Sequence, residues 1–387
     1  MKVNKSLWLQ ATLGELFDLQ MGKTPSRKDL SLWENGDIPW VSISDMNEGR
    51  YISKTKELLP HNTVVNCRIP IIPIGTVIMS FKLTIGKTCI VTKPLTTNEA
   101  IMAFYPTNGI EVNPSFLAYA LSALKWKGNR AVKGITINKK TISEKSFLLP
   151  ALVEQESIAM ELDMLQEVID GYKAQISDLD ALAQSIFLDT FGDPITNPKG
   201  WEVNTLKNLA DIGTGSTPSR NNTEYYDGTI PWVKSTEVRN VFIFETQEHI
   251  TEDAIRNSNC SIYPINTILI AMYGQGKTRG QVGLLKIEAT TNQACAAIQC
   301  SDQLNHLFAF WHFQMCYEAN RSLGHGTNQK NMNLSIVGNM RFIVPPLSLQ
   351  EQFAKQVNKI ERQKELLRQQ LADAEMLMAE RMQYYFS

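Results

Sequence analysis

Residues 152–190 read LVEQESIAMELDMLQEVIDGYKAQISDLDALAQSIFLDT, and this stretch decides the architecture. Within it Ile158, Leu162, Leu165, Ile169, Tyr172, Ile176, Leu179, Ala183 and Ile186 recur at spacings that alternate between four and three. That alternation puts one apolar residue per half heptad on a single helix edge, the pattern of a coiled-coil seam. A helix of about 38 residues would be roughly 57 Å long at ~1.5 Å per residue. It contains no Pro, and its one Gly, Gly171, costs about 1 kcal/mol relative to Ala. Such a helix cannot cover its own seam and needs a partner.

The partner lies in the same chain. Moving 195 residues on from each seam position gives Phe353, Val357, Ile360, Lys364, Leu367, Leu371, Ala374, Met378 and Arg381. All but Lys364 and Arg381 are apolar, and those two can run their methylenes along the seam. The helix entries repeat as well: Pro150, Leu152, Gln155, Glu156 and Ala159 recur as Pro345, Leu347, Gln350, Glu351 and Ala354. The chain therefore carries two long helices of one design, each closing a larger module, and a repeat of this length fixes the organisation before any local motif does.

The modules themselves are duplicates. Trp8, Thr12, Leu13, Leu16, Asp18, Gly22, Thr24, Pro25, Ser26 and Arg27 are matched by identical residues 193 positions on, from Trp201 to Arg220. Ile38-Pro39-Trp40-Val41 returns as Ile230-Pro231-Trp232-Val233, and Thr97-Asn98 as Thr291-Asn292. Short Val/Ile-rich runs at 77–81, 89–91, 267–272 and 294–298, bounded by turn residues, predict strands. Helices are expected over 114–125 and 305–319, and last strands over 147–149 and 342–344. The turn-rich segment 191–201, with two Pro and two Gly, predicts a helix stop and linker. The expected fold is α+β: two duplicated domains at 1–151 and 191–346, separated by two long antiparallel coiled-coil helices at 152–190 and 347–387.

Composition narrows the function. At 387 residues with 43% hydrophobic and 20% charged residues, the chain reads as an ordinary globular protein. No long apolar span and no signal-like N-terminus stand out, so a cytoplasmic protein without membrane contact is expected. Cys67, Cys89, Cys260, Cys295, Cys300 and Cys316 form no CxxC pair, and the five His show no ligand spacing, so neither a metal nor another cofactor is expected. The net charge of −1 hides segregation. Residues 1–151 hold 19 Lys and Arg against 11 Asp and Glu, whereas residues 152–192 hold one against nine. A basic first module is permissive for nucleic acid; a solvated acidic face accounts for the helix.

Catalytic signatures fail on inspection. Gly86-Lys87-Thr88 and Gly276-Lys277-Thr278 end like phosphate-binding loops, but Phe81 and Ala271 stand where the first Gly is needed. Asp193-Pro194-Ile195 and Asn197-Pro198-Lys199 lack the second Pro and the aromatic of an adenine-methylating loop. No paired carboxylates followed by Lys mark a metal-dependent nuclease. No catalytic residue is assigned. DNA contact needs Lys or Arg for phosphates and paired hydrogen-bonding side chains for base edges. The candidates sit in turns: Lys23, Arg27, Lys28, Lys82, Lys87, Lys133, Lys139 and Lys140 in the first module, and Arg220, Asn221, Lys234, Lys277, Arg279, Arg321, Asn328 and Lys330 in the second. Any one of them also reads as a solvated turn residue; their recurrence at equivalent places favours function. Trp40 and Trp232 read as core.

The duplicated Gly-x-Thr-Pro-Ser-Arg and Ile-Pro-Trp-Val segments, the paired Gln-Glu helix entries and the Phe191-Gly192-Asp193-Pro194 to Trp201 linker resemble a type I restriction–modification specificity subunit along nearly the whole chain. The resemblance implies two target-recognition domains, each reading half of a split site in double-stranded DNA, without catalysis by this chain. It also implies two methylase (M) subunits docked on helices and domains, with nuclease/translocase (R) subunits joining through the methylases. Modules on a quasi-two-fold rod could then address successive major grooves about 34 Å apart. A coiled-coil scaffold with two ligand-binding modules, or an ATP-dependent enzyme using Lys87 and Lys277, are the readings from other classes.

Overall fold

The computed structural model describes residues 3–47, 49–126, 129–131, 134–274, 276–323 and 331–387. It divides into two compact units, one built from Met1–Lys173 and Gln369–Ser387, the other from Ala174–Arg368.

The first unit begins with β1 (Leu9–Thr12), α1 (Leu13–Leu16), β2 (Phe17–Met21), β3 (Ile38–Val41), β4 (Tyr51–Ile52) and β5 (Glu57–Leu59). It continues through α2 (His61–Asn66), β6 (Val77–Ser80), β7 (Thr88–Val91), β8 (Thr96–Thr97), β9 (Ile101–Pro106) and α3 (Pro114–Ala123). A hairpin of β10 (Asn129–Ala131) and β11 (Gly134–Thr136), then α4 (Lys139–Ser143) and β12 (Ser146–Leu149), lead into α5 (Leu152–Phe191). The strands order as a five-stranded sheet β2-β9-β6-β7-β4, a three-stranded sheet β5-β3-β8, and the pair β1-β12.

The central strand β6 shows why the apolar runs are continuous. Val77 and Met79 face one core with Phe116 and Leu117 of α3. Ile78 faces the other, with Val41 and Val91. A strand covered on both faces needs no polar alternation. Helix α3 starts where Asn113 accepts from the Phe116 N–H at 3.0 Å and Pro114 fills the first helical position.

The second unit repeats the plan with β13 (Glu202–Thr205), β14 (Ala210–Thr214), β15 (Ile230–Val233), β16 (Val241–Ile243), β17 (Glu248–Ile250) and α6 (Glu252–Arg256). Then come β18 (Ile268–Ala271), β19 (Val282–Leu285), β20 (Thr290–Thr291), β21 (Cys295–Cys300), α7 (His306–Met315) and α8 (Tyr317–Ser322). Last are α9 (Leu334–Gly338), β22 (Arg341–Val344) and α10 (Leu347–Phe386). Its sheets, β14-β21-β18-β19-β16, β17-β15-β20 and β13-β22, copy the first unit's order strand for strand. Even the directions match: β4 runs parallel to β7, and β16 parallel to β19.

Within each unit the two long helices run antiparallel. In the first, Glu161 of α5 accepts from the Tyr385 hydroxyl at 2.5 Å and pairs with Arg381 at 3.0 Å, while Lys173 meets Glu375 at 2.8 Å. In the second, Asp180 meets Lys364 at 2.5 Å and Phe187 packs edge-on against Phe353. Among the seam positions Ile158, Leu162, Ile169, Phe353, Val357, Ile360 and Leu367 are buried, and Leu165, Ile176, Leu179 and Leu371 are half-buried. Lys364 is buried too, its ammonium held between Asp180 and Glu361.

Two features depart from the sequence expectation. At the end of α5 the half-buried Ile186 yields the core position to Phe187, and Ala183, Phe187 and Phe191 step by four. An α-helix has 3.6 residues per turn, so a seam kept strictly at 3.5 drifts, and here the large rings of Phe308 and Phe353 take the following turn. The helix expected to reach 319 is broken at Cys316 into α7 and α8. The segment 191–201 stops α5 at Phe191 as expected, and it is built as a helix cap. Gly192 takes the left-handed conformation (φ +78°), Lys199 donates to the carbonyls of Asp189 and Thr190, and the Trp201 indole donates to Phe191 O at 2.8 Å.

Candidate nucleic-acid interface

The repeated landmarks meet at one node in each unit. In the first, Lys23 N–H donates to Thr97 O (2.8 Å), the Trp40 indole to Lys23 O (3.1 Å), the Thr96 hydroxyl to Pro39 O (3.0 Å) and Asn98 N–H to Val41 O (3.0 Å). In the second, Ser216 N–H donates to Thr291 O (3.0 Å), the Trp232 indole to Ser216 O (3.0 Å), the Thr290 hydroxyl to Pro231 O (2.9 Å) and Asn292 N–H to Val233 O (3.1 Å). Both Trp are buried core residues. The motif Gly sits where chains touch: a Cβ on Gly22 would lie 2.2 Å from Thr97 O, and one on Gly215 1.6 Å from Thr291 O. Only Gly allows that approach.

The motif Arg closes the node from outside. Arg27 stacks on Trp33 at 3.7 Å and makes a two-point ion pair with Glu57, its Nη2 at 2.9 Å. Arg220 stacks on Tyr226 at 4.0 Å and pairs with Glu248 at 2.6 Å, where Lys234 also lands at 2.7 Å. The Arg27 hydrogen bond holds the Glu57 carboxyl below the usual range, and Arg220, then Lys234, do the same for Glu248.

Other expected DNA contacts are likewise engaged within their own unit. Lys23 donates to Cys67 O at 2.6 Å, Lys87 donates to Asn47, and Lys82 lies 5.6 Å from the Phe81 ring. Arg321 donates to Gly276 O and to the Tyr317 hydroxyl (3.2 Å), and Arg279 donates to Arg321 O at 3.3 Å. Lys140 pairs loosely with Glu144 at 3.7 Å, at the start of α4 beside exposed Lys139. Lys28, Asn221 and Lys277 are exposed. Lys133, Asn328 and Lys330 lie outside the described residues. The structure thus gathers Lys23, Arg27 and Lys28 at one node, and Arg220, Asn221 and Lys234 at the other. Lys277, Arg279 and Arg321 form a separate cluster around the Gly276 turn.

Sequence reasoning missed the acidic partners. Glu57 and Glu248 stand 191 residues apart, inside the offset range of the repeat, and that offset was the available signal. It also missed two loop anchors. Buried Asp45 accepts from Ser42 N–H (2.8 Å) and Lys56 N–H (3.1 Å), and Glu237 accepts from Lys234 N–H and Gln247 N–H (both 2.9 Å). Each clamps a loop whose exposed residues differ between the units. Among the described residues no cluster of His, Cys, Asp and Glu could hold a metal, and no helix is long and apolar enough to cross a membrane.

A family model for the type I restriction modification DNA specificity domain matches the chain twice, over residues 5–179 and 198–376. The chain belongs to that specificity family. It is 24% identical over 368 residues to the type I restriction enzyme MjaIX specificity subunit of Methanocaldococcus jannaschii, covering 89% of this chain and 85% of the relative. It is 27% identical over 166 residues to the EcoR124I/EcoR124II specificity subunit of Escherichia coli, covering 40% of each. In fold it is similar to the type I restriction-modification S subunit from M. genitalium, with a TM-score of 0.58, 14% identity, and coverage of 100% of this chain and 98% of that one. For a specificity-family member the two nodes acquire a plain meaning. They are a frame shared by the two specificity domains, and the loops on it differ in sequence between them.

Proposed function

We propose that the chain is the non-catalytic DNA-reading subunit of a cytoplasmic type I restriction–modification complex. Each target-recognition domain, residues 1–151 and 191–346, reads one half of an asymmetric bipartite site in double-stranded DNA. Two methylase subunits dock on the chain, and nuclease/translocase subunits join through them. The long helices, 152–190 and 347–387, hold the halves in register, so the spacer is measured and not read.

The observation that carries this reading is one frame built twice with different loops upon it. Identical nodes around Trp40 and Trp232 support loops anchored by Asp45 and Glu237, and the exposed side chains on those loops are not the same. Domains that share a frame and differ in their loops suit two unlike half-sites. Exposed Lys28, Lys139, Asn221 and Lys277, together with Lys23, Lys82 and Lys87 of the first unit, supply phosphate and base contacts. Exchanging residues 1–150 with those of a relative tests the reading. One half of the recognised motif should change and the other persist; a change in both halves would defeat it.

A further inference from the structure

Equivalent exposed positions in the two units separate two kinds of surface. A base-reading surface must differ between domains that read unlike half-sites. A surface that holds two copies of one protein must occur twice and share the contacts that hold it.

One groove recurs at the same place in both units and keeps the turn isoleucine and threonine, while the rest of its lining differs. In the second unit it encloses about 390 Å³ and is lined by the Pro264–Thr267 turn, Gln299, Cys300, His306, Leu347 and Glu351. In the first unit a groove of about 250 Å³ is lined by Ile74, Gly75, Thr76, Tyr105, Pro106 and Pro114. The turns are matched in conformation. Gly75 and Asn266 are both left-handed (φ +83° and +72°), and their N–H groups donate to Val91 O and Leu285 O, each at 2.8 Å. The isoleucine before each is turned to solvent, Ile74 at 64% and Ile265 at 51% exposure. Three residues earlier Ile71 and Ile262 are exposed as well. Four isoleucines kept on the surface at the same two places of a duplicated fold are not explained by either core.

Asp302 and Glu351 line the groove of the second unit, and Glu156 holds the place on α5 that matches Glu351 on α10. Gln155 and Gln350 of the helix entries are buried clips: each accepts from the capping residue's N–H (Asn113 or Asn305, 2.8 Å) and donates to two carbonyls. The fold explains those glutamines. It does not explain the residues that follow, Glu156 and Glu351, which are exposed in both units. Exposed Glu111 and Asp302 lie two and three residues before the capping asparagines. Carboxylates at the rim repel DNA phosphate. Their complement is a protein surface presenting an apolar side chain beside Lys or Arg.

We propose that this repeated groove is where a methylase subunit docks on each unit, seating an apolar side chain against Ile74 or Ile265 and a basic residue against Glu156 or Glu351. The assignment rests on the assembly proposed above. The test uses the full chain, the methylase of the same host, and native mass spectrometry with binding titrations. Ile265→Glu/Glu351→Lys and Ile74→Glu/Glu156→Lys should each reduce the bound methylases from two to one, with at least ~10-fold weaker affinity at the altered unit. The combined variant should bind none. Melting temperatures should not move, since the altered side chains are exposed; should a double variant unfold, Glu351→Gln, with a smaller loss of affinity at its unit, decides instead. Two methylases bound with unchanged affinity in every variant would overturn the groove while leaving the assembly standing. A wild-type chain that binds no methylase would overturn the assembly itself, and the groove with it. Loss of self-association with an unchanged methylase count would give the groove to a second copy of this chain.

Discussion

Arg27 holds its guanidinium carbon over Trp33, 3.7 Å from the ring centre, while both its terminal nitrogens reach Glu57. Arg220 stands 4.0 Å from the Tyr226 ring centre and pairs through Nη1 alone with Glu248 at 2.6 Å. A guanidinium stacked on one side and paired on the other serves packing, and its fork is occupied before any phosphate arrives.

Arg27→Ala should therefore weaken the first unit by about 1 kcal/mol, mostly through lost stacking, because the half-exposed ion pair is screened by solvent. The slope of log affinity against log salt for DNA should stay the same. A slope reduced by about 1 would mean that Arg27 contacts a phosphate. Lys28→Ala is expected to lower that slope.

Two glycines should respond in opposite directions. Gly215→Ala drives a Cβ into the Thr291 carbonyl, and loss of the folded second unit is expected. Gly171, inside α5, has open space around its missing Cβ, so Gly171→Ala should stabilise the chain by about 1 kcal/mol. Denaturant midpoints measure both, and a neutral Gly215→Ala would refute the close approach.

Gln350→Ala should cost about 2 kcal/mol. It leaves the Asn305 N–H without its acceptor and the carbonyls of Gln303 and Pro345 without their donor. Gln155→Ala should cost the same in the first unit. Urea unfolding of either variant at wild-type midpoint would show that water replaces the clip.

The second unit should be the acid-sensitive one. Burial pushes His312 down to about 3 and, helped by Lys286, His306 down to about 4, from an ordinary value of 6.5. Both pKa values are lower in the folded state, so below about pH 6.5 the unfolded chain takes up protons that the folded one refuses. Stability should fall as pH drops from 6.5 towards 3 and be flat above. His312→Gln retains an acceptor for the Ile343 N–H and should flatten much of that slope. An unchanged slope between pH 6.5 and 4.5 would exclude His312 as its source.

Much of this was readable before any coordinates. The seam from Ile158 to Leu179 and its copy from Phe353 to Leu371 carry helix period and partner together, and the duplicated landmarks carry the two-module plan. Gly22, Trp40 and Thr97 recur because they touch one another, which spacing alone does not reveal. The roles of the charges were not legible for a related reason. A turn Arg beside Trp looks equally like a phosphate contact and a stacked clamp until its acid, Glu57, is known to be in reach. Phe187 displaced Ile186 because helix drift and ring size act at a helix end, where a heptad pattern no longer constrains the chain.

The central claim is that this chain tells a methylase where to act. A genome-wide adenine-methylation map of the source strain, with and without this gene, tests it most directly. One split, asymmetric motif should lose its methylation on deletion and regain it on complementation. A motif methylated in the intact strain that stays so after deletion, with no other motif lost, would contradict the assignment.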